Sequence, residues 1–257
     1  NFFMKNATCS NCNEPTEKHF CSNCGQKTDT HRITLKHFLM HDLLHGIWHL
    51  EKGILFTIKE TFIRPGQAAL DYIGGKRIRY YNVFYLALLI IGLNLLLSHF
   101  YESVHPMKND INNNTQQVTQ FFKDHLKTLL FSIVPILGCV AFLIFKRMKL
   151  NIAEHLIIGG ITLLGILMLS VVFSFINFVE SLEVPSWVGL FEIIVFLMML
   201  LFPAWVYFNA ARNQYSLLGF LWRILVFYIL VILILSLILF VIITQLTHGG
   251  NQIYINI

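Results

Sequence analysis

Five long apolar stretches constrain this chain more than any other feature of its sequence. A transmembrane α-helix takes about 20 predominantly apolar residues, and five stretches approach or exceed that length: 83–101, 129–145, 156–178, 187–208 and 217–246. Hydrophobic residues make up 56% of the 257 residues and charged residues only 13%, which is more apolar surface than a soluble domain of this size can bury. The sequence therefore predicts an all-α polytopic membrane protein with about five transmembrane helices.

The distribution of basic residues predicts how these helices are oriented. Eleven of the 19 lysines and arginines precede residue 81, and five more lie near the ends of later stretches: Lys146, Arg147, Lys149, Arg212 and Arg223. Loops rich in Lys and Arg stay on the cytoplasmic side. No signal peptide is expected from the amino-terminal pattern. We therefore expect a bacterial cytoplasmic (inner) membrane protein with its amino terminus in the cytoplasm and its carboxyl terminus outside.

Four cysteines in the polar amino-terminal part form two C-x2-C pairs separated by eight residues: Cys9, Cys12, Cys21 and Cys24. This spacing is typical of a tetrahedral zinc site, and four thiolates leave no open coordination position, so the zinc would be structural. Two disulfides are the alternative, but they require an oxidising compartment. We expect a hairpin between the pairs, turned at Pro15, and a tight turn at Gly25. The fifth cysteine, Cys139, is expected to be a buried packing residue.

Four histidines recur at every fourth position of the next segment: His37, His41, His45 and His49. On a helical wheel they form a stripe opposite a leucine-rich face, which predicts an amphipathic helix at the membrane interface. The simplest interpretation is a polar helix face. Two alternatives remain, because histidines four apart on a helix can chelate a second metal ion and can also act as a pH sensor.

Basic residues are concentrated between the histidines and the first apolar stretch. Two short helices are predicted at 54–62 and 67–73, separated by Pro65-Gly66 and ended by Gly74-Gly75. Arg64, Lys76, Arg77 and Arg79 surround the second of these helices. They are expected to anchor the chain at the interface. They are also candidate ligands for a lipid headgroup or another anion.

The segment from the cysteines to Tyr81 resembles a family of bacterial multi-pass membrane proteins of unknown function. The resemblance depends on "CSNC…CSNCGQK" and on "RPGQAALDYIGGKRIRYY", and it weakens at Asn82-Val83, where a proline is expected. It implies a zinc ribbon followed by several membrane helices, and it implies no substrate or catalytic residue. Three parts are accordingly expected: a zinc ribbon at 1–30, interfacial helices at 31–80 and a transmembrane domain at 81–257.

These patterns favour a membrane adaptor or accessory subunit over an enzyme, with the ribbon bound to a protein partner or to a second copy. Membrane lipids are expected partners. Nucleic acid is not, because residues 1–30 carry only Lys5, Lys18 and Lys27 against three acidic residues. Two alternatives are a component that exports a lipid or small amphiphile, and a membrane metalloenzyme built on the histidine stripe.

Overall fold

The computed structural model describes residues 7–16, 19–28, 53–104, 113–180 and 188–249. These ranges contain one two-stranded antiparallel sheet, two 3₁₀ helices and seven α-helices. The strands are β1 (Ala7–Thr8) and β2 (Pro15–Thr16), and the 3₁₀ helices are Arg77–Arg79 and Lys146–Met148. The α-helices are α1 (Ile54–Ile63), α2 (Pro65–Ile73), α3 (Val83–Val104), α4 (Asn113–Ile144), α5 (Ile152–Glu180), α6 (Val188–Ala211) and α7 (Leu217–Gly249). The predicted all-α membrane class with a small cysteine-rich amino-terminal module is confirmed.

Four of these helices are long and apolar enough to cross a membrane, namely α3, α5, α6 and α7. The remaining apolar stretch forms the second half of α4, where only Leu129–Ile144 is apolar, and it is shorter than a full span. The chain is therefore a multi-pass membrane protein. Within the described residues, the five predicted stretches appear as helix except for Phe145, and the second belongs to a longer helix of 32 residues.

Helix α5 lies at the centre of the bundle. In its apolar window 61% of the residues are buried, against 22% or less in each of the other three spans. It packs against α3, α4 and α6 along its length, and α7 packs against α4. Helix α6 can approach α5 closely at Gly165, because this glycine has no side chain and Phe202 of α6 lies directly against it. The outer helices expose large apolar side chains such as Leu190, Leu225 and Phe240, as expected for surfaces that face lipid.

Cys139 lies on the outer surface of α4. The expectation that it is buried is wrong, because the cysteine is exposed. The neighbouring Gly138 is the residue that faces α5, since a Cβ there would lie 2.7 Å from the Leu156 side chain. The next residue along a helix is rotated by about 100°, so Cys139 points away from the bundle.

The short helix α1 has its polar side turned inward. Thr57, Glu60 and Thr61 are buried, whereas Leu55 is 82% exposed and Ile63 is 59% exposed. In a water-soluble domain the buried face would be the apolar one. The inverted arrangement is the one expected of a helix whose outer face lies in the apolar part of the interface.

Helix α2 is held against the membrane domain by its first residues. Gly66 lies so close to α6 that a Cβ would overlap the backbone of Val206 and Ala210. Beside it, the Gln67 N–H donates to Asn209 Oδ1 at 2.8 Å, and Gln67 Nε2 donates to Asn209 O at 3.0 Å. The Pro65-Gly66 pair follows the end of α1 at Ile63, as predicted, and it also begins α2 and packs it against α6.

Asn82 begins the first membrane-spanning helix. Its side-chain Oδ1 accepts the N–H of Phe84 at 3.0 Å, and its carbonyl accepts the N–H of Leu86 at 3.0 Å. This is the geometry of an N-cap. The position at which the resemblance predicts a proline is thus occupied by a residue that starts the helix by capping it.

Candidate metal centre and its contact with the membrane domain

Two tight turns with the same hydrogen bonds hold the four cysteines. In the first, the Cys9 N–H donates to the Glu14 carbonyl at 2.8 Å and the Asn13 N–H donates to the Cys9 carbonyl at 2.9 Å. The second turn repeats both bonds within residues 21–26, each at 2.8 Å. Each C-x2-C pair is therefore folded so that its two sulfurs lie on the same side of the turn.

Both turns need one residue in the left-handed conformation. Gly25 has φ +73° and Asn13 has φ +61°, and glycine and asparagine are the residues that adopt this conformation most readily. The turn predicted at Gly25 is confirmed. Asn13 was not predicted, although its place four residues after Cys9 matches that of Gly25 after Cys21 and was a usable signal.

The hairpin expected between the cysteine pairs is not where the sequence placed it. Pro15 lies in β2 and pairs with Thr8 of β1, so the first hairpin closes around the first cysteine turn. A β-bridge between Phe20 and Lys27 closes the second turn in the same way. Pro15 is tolerated in so short a strand because a strand of two residues demands few ladder hydrogen bonds.

The four sulfur atoms lie at distances suited to one metal ion. All lie within 4.8 Å of one another, and the Cys9–Cys24 and Cys12–Cys21 sulfur pairs are each 3.5 Å apart. A Zn–S bond of about 2.3 Å in a tetrahedron gives a sulfur separation of about 3.8 Å. The four cysteines are free thiols and not disulfides. The donor set therefore fits a closed tetrahedral thiolate site.

Local hydrogen bonds and burial divide the protons unevenly among the cysteines in the absence of a metal. Hydrogen bonds from the Asn11 side chain and the Gln26 backbone lower the pKa of Cys24 to about 6. The backbone N–H of Glu14 lowers the pKa of Cys12, but burial and hydrogen bonds with the other three cysteines outweigh it and raise that pKa to about 12. Four adjacent thiolates are thus stable only when a cation neutralises them.

The cysteine turns are hydrogen-bonded to the residues that precede the first membrane helix. The Ile78 N–H donates to Gln26 Oε1 at 3.1 Å, and Arg79 Nη2 donates to the Asn11 carbonyl at 2.7 Å. Gln26 is 4% exposed, so its side chain is enclosed by this contact. Because Asn11 and Gln26 also hydrogen-bond to the thiols, the metal centre and the membrane domain share these two residues.

Two of the four predicted anion-binding residues meet at Asp71. Lys76 Nζ lies 2.8 Å from Asp71 Oδ1, and Arg64 Nη2 lies 3.8 Å from Asp71 Oδ2. Arg64 also forms an ion pair with Glu60. Burial opposes the charge of the guanidinium, but the hydrogen bond and charge of Glu60 outweigh it and raise the pKa of Arg64. Both cations are therefore neutralised by carboxylates of α1 and α2.

The other two predicted residues have different neighbours. Arg77 lies over the ring of Tyr72, with its guanidinium carbon 5.9 Å from the ring centroid, and Arg79 donates to the first cysteine turn as described above. The structure therefore does not gather the four basic residues into one group. Their proposed role in binding an anion stays a prediction.

The histidine stripe, His37, His41, His45 and His49, lies outside the described residues, so its proposed second metal site or pH response stays a prediction.

A different histidine is buried in the bundle. His155 of α5 is 1% exposed and stacks near Tyr207 of α6, with ring centroids 6.5 Å apart. Among the described residues, neither His155 Nδ1 nor the Tyr207 hydroxyl has a hydrogen-bond partner.

One family model, described as "Protein of unknown function (DUF3667)", matches residues 51–91 of the chain. The match covers α1, α2, the 3₁₀ helix Arg77–Arg79 and the first turns of α3. No curated protein and no solved structure matches. The similarity thus covers the segment that connects the cysteine turns to the membrane helices, and the family description carries no activity.

Proposed function

We propose that the protein is an integral-membrane adaptor whose amino-terminal ribbon, loaded with zinc, binds a protein partner. The observation that carries this proposal is that each cysteine turn is hydrogen-bonded to the 3₁₀ helix Arg77–Arg79. A ribbon held in this way has a fixed position on the membrane domain. A partner bound to the ribbon would therefore be placed at one defined site on the membrane surface.

The metal assignment follows from the chemistry of the donors. Four thiolates select soft or borderline cations and leave no coordination position for a substrate. Zinc meets both conditions and has no redox chemistry that would make the site reactive. The positive-inside distribution of Lys and Arg supports a cytoplasmic position for the ribbon, in the bacterial inner membrane, where thiols stay reduced.

The ribbon offers one aromatic side chain as an anchor for a partner. Phe20 is 60% exposed, and the β-bridge to Lys27 fixes its backbone beside the second cysteine turn. Exposed aromatic residues on a rigid element are frequent anchors of protein interfaces. The exporter alternative has less support, because Arg64 and Lys76, two of the four candidate ligands for a lipid headgroup, are paired with carboxylates.

The experiment compares the proteins that co-purify with Phe20→Ala, with Leu55→Ala and with the unmodified chain after solubilisation of native membranes. Leu55 is the matched control because it is also an exposed apolar residue but lies on α1. We expect recovery of a specific partner to fall at least about tenfold with Phe20→Ala, the usual effect of losing an interface anchor. Recovery should be unchanged with Leu55→Ala. Equal recovery with all three proteins would overturn the proposal.

Zinc is tested separately by elemental analysis of the purified protein. We expect one zinc per chain in the unmodified protein and none after Cys9→Ser with Cys24→Ser, because two sulfurs do not complete the tetrahedral site. A His37→Ala, His41→Ala, His45→Ala and His49→Ala variant addresses the metalloenzyme alternative. If that variant contains as much metal as the unmodified chain, no further ion is bound at the histidine stripe.

A further inference from the structure

Two arginines from separate parts of the chain lie over the ring of one buried tyrosine, and a third lines a cavity beside it. Tyr215 lies in the loop between α6 and α7, with the Arg223 guanidinium carbon 4.5 Å from its ring centroid and that of Arg147 5.7 Å away. The backbone N–H of Arg147 donates to the Tyr215 hydroxyl at 3.0 Å, and this hydrogen bond fixes the ring. Arg212 lines a cavity together with Tyr215. We call Arg147, Arg212, Arg223 and Tyr215 the arginine cluster.

The arginine cluster has no carboxylate to balance its charge among the described residues. The ion pairs found there involve Arg64 and Lys76, and none includes an arginine of the cluster. The sequence contains no Asp or Glu after Glu192, so the elements that supply Arg212 and Arg223 cannot provide one. Each arginine carries five N–H donors, and the bond from Arg223 Nη1 to the Gly219 carbonyl, at 2.6 Å, uses one of them. The cluster is therefore an electrostatic environment that favours an anion.

A cavity of about 200 Å³ adjoins the cluster. Two of its lining residues are Arg212 and Tyr215, and the others are apolar: Phe208, Ala211, Leu217 and Phe220. At about 30 Å³ per water molecule, this space holds a phosphate group and the first carbon atoms esterified to it. The lining thus combines a cationic side chain suited to an anion with apolar side chains suited to hydrocarbon.

The surroundings of the cavity connect it to the lipid-facing surface. Leu217, Leu218 and Trp222 in the first turns of α7 are exposed by 64%, 79% and 53%. Tryptophan beside arginine is typical of the headgroup level of a bilayer. The cavity lies at the same end of the bundle as α2, because α2 is hydrogen-bonded to Asn209 near the end of α6.

We propose that the arginine cluster binds the phosphate group of an anionic phospholipid, whose acyl chains lie along the exposed side of α7. Guanidinium groups match phosphate because their planar fork donates two parallel hydrogen bonds to its oxygens. Free phosphate shares this chemistry, but it would not use the apolar side chains of the cavity. The proposal is independent of the adaptor function, since it involves no residue of the ribbon.

The test measures thermal unfolding of the purified protein in a zwitterionic detergent while phosphatidylglycerol, phosphatidylcholine or inorganic phosphate is added. We expect a saturable rise of the unfolding temperature with phosphatidylglycerol alone. In Arg212→Gln with Arg223→Gln the half-saturating concentration should increase by roughly tenfold or more, the usual effect of losing charge-assisted hydrogen bonds. Lys59→Gln is the matched control for Arg212→Gln alone, because each removes one positive charge from an exposed position.

The outcomes separate the possible ligands. If the double variant retains the half-saturating concentration of the unmodified chain, the cluster does not bind lipid and the proposal fails. An equal effect of inorganic phosphate at the same concentration would assign the site to free phosphate and overturn the lipid assignment. Arg212→Gln alone serves if the double variant does not fold, because Arg212 is exposed, and it should weaken binding in the same direction.

Discussion

Cys12 and Cys24 have opposite tendencies to ionise, although each is the second cysteine of its pair and they occupy equivalent places in the two turns. Donors from Asn11 and Gln26 favour the thiolate of Cys24, whereas the neighbouring sulfurs favour the protonated form of Cys12. At neutral pH the metal-free module therefore retains the proton of Cys12 and has lost that of Cys24. A metal ion must displace the Cys12 proton to bind all four sulfurs as thiolates.

We therefore expect zinc binding to release protons and to weaken as the pH falls. The bound form requires four thiolates, so affinity decreases with acidification, and below pH 6 even Cys24 becomes protonated in the free module. The measurement adds zinc chloride to chelator-treated protein in a weakly buffered indicator solution at pH 7. Stoichiometric zinc binding with no acidification of that solution would contradict the thiolate site.

Tyr207 gives a second prediction at the residue scale. Its ring is fully buried and stacks on Phe145 at 4.9 Å, but its hydroxyl has no hydrogen-bond partner among the described residues. Tyr207→Phe keeps the ring and removes an unsatisfied polar group, so the free energy of unfolding should stay constant or rise by up to about 1 kcal/mol. Tyr207→Ala should cost roughly 3–5 kcal/mol, because it removes the ring as well.

Unfolding of both variants in detergent micelles, followed by circular dichroism against added denaturant, provides the comparison. If Tyr207→Phe were as destabilising as Tyr207→Ala, the hydroxyl would be bonded to a group that the described residues do not supply. The buried His155, whose Nδ1 also has no partner among the described residues, would then be the next residue to substitute.

Sequence reasoning at the residue scale succeeded where spacing determines geometry. The common site of the two C-x2-C pairs and the turn at Gly25 were predicted, because the turn of a cysteine pair depends only on neighbouring residues. Cys139 was predicted incorrectly because an apolar run does not show which side of a helix faces the bundle. Only the contact between Gly138 and Leu156 determines that orientation.

The helices α1 and α2 show the same limit at the scale of secondary structure. Their bounds were predicted closely, since Pro65 and the pair Gly74-Gly75 mark helix ends locally. Their packing was not predicted. The hydrogen bonds between Gln67 and Asn209 join residues 142 positions apart, and no local pattern connects them. The sequence also did not predict that the polar face of α1 is buried. Hydrophobic periodicity distinguishes two faces of a helix, but it does not show whether each face contacts protein, lipid or water.

The contact between α2 and α6 should depend on the absence of a side chain at residue 66. Gly66→Ala places a Cβ against the backbone of Val206 and Ala210, which cannot move aside as a flexible side chain would. We expect a loss of roughly 2–3 kcal/mol in unfolding free energy, typical of overpacking. Gly92→Ala is the matched control, because a Cβ in that position of α3 meets nothing within 4 Å.

Gly92→Ala should leave stability unchanged or raise it slightly, since alanine favours helix more than glycine does. Both variants are compared by their thermal unfolding midpoints in the same detergent. If Gly66→Ala matched Gly92→Ala, the close packing of α2 on the end of α6 would not exist in the folded protein.

For the molecule as a whole, the spans and the ribbon fit one arrangement across the membrane. Helix α5 is enclosed by α3, α4 and α6, and the ribbon contacts the residues just before α3. The end of α6 lies beside α2, so the ribbon, α2 and the arginine cluster belong to the same end of the bundle. Most basic residues of the described ranges also lie at that end, so the positive-inside rule predicts that this end is the cytoplasmic one.

This arrangement predicts which positions a membrane-impermeant maleimide reaches. Ser103 is exposed near the end of α3, and Asn213 is exposed in the loop after α6, at the other end of the bundle. We therefore expect them to lie on opposite sides of the membrane. Relative to a Cys139→Ala chain, which still holds the four ribbon cysteines, we expect Ser103→Cys to add labelling in intact cells and Asn213→Cys to add it only after permeabilisation. The reverse pattern would place the ribbon outside the cytoplasm, where disulfides form. It would thereby remove the argument for a reduced zinc site and for a cytoplasmic partner.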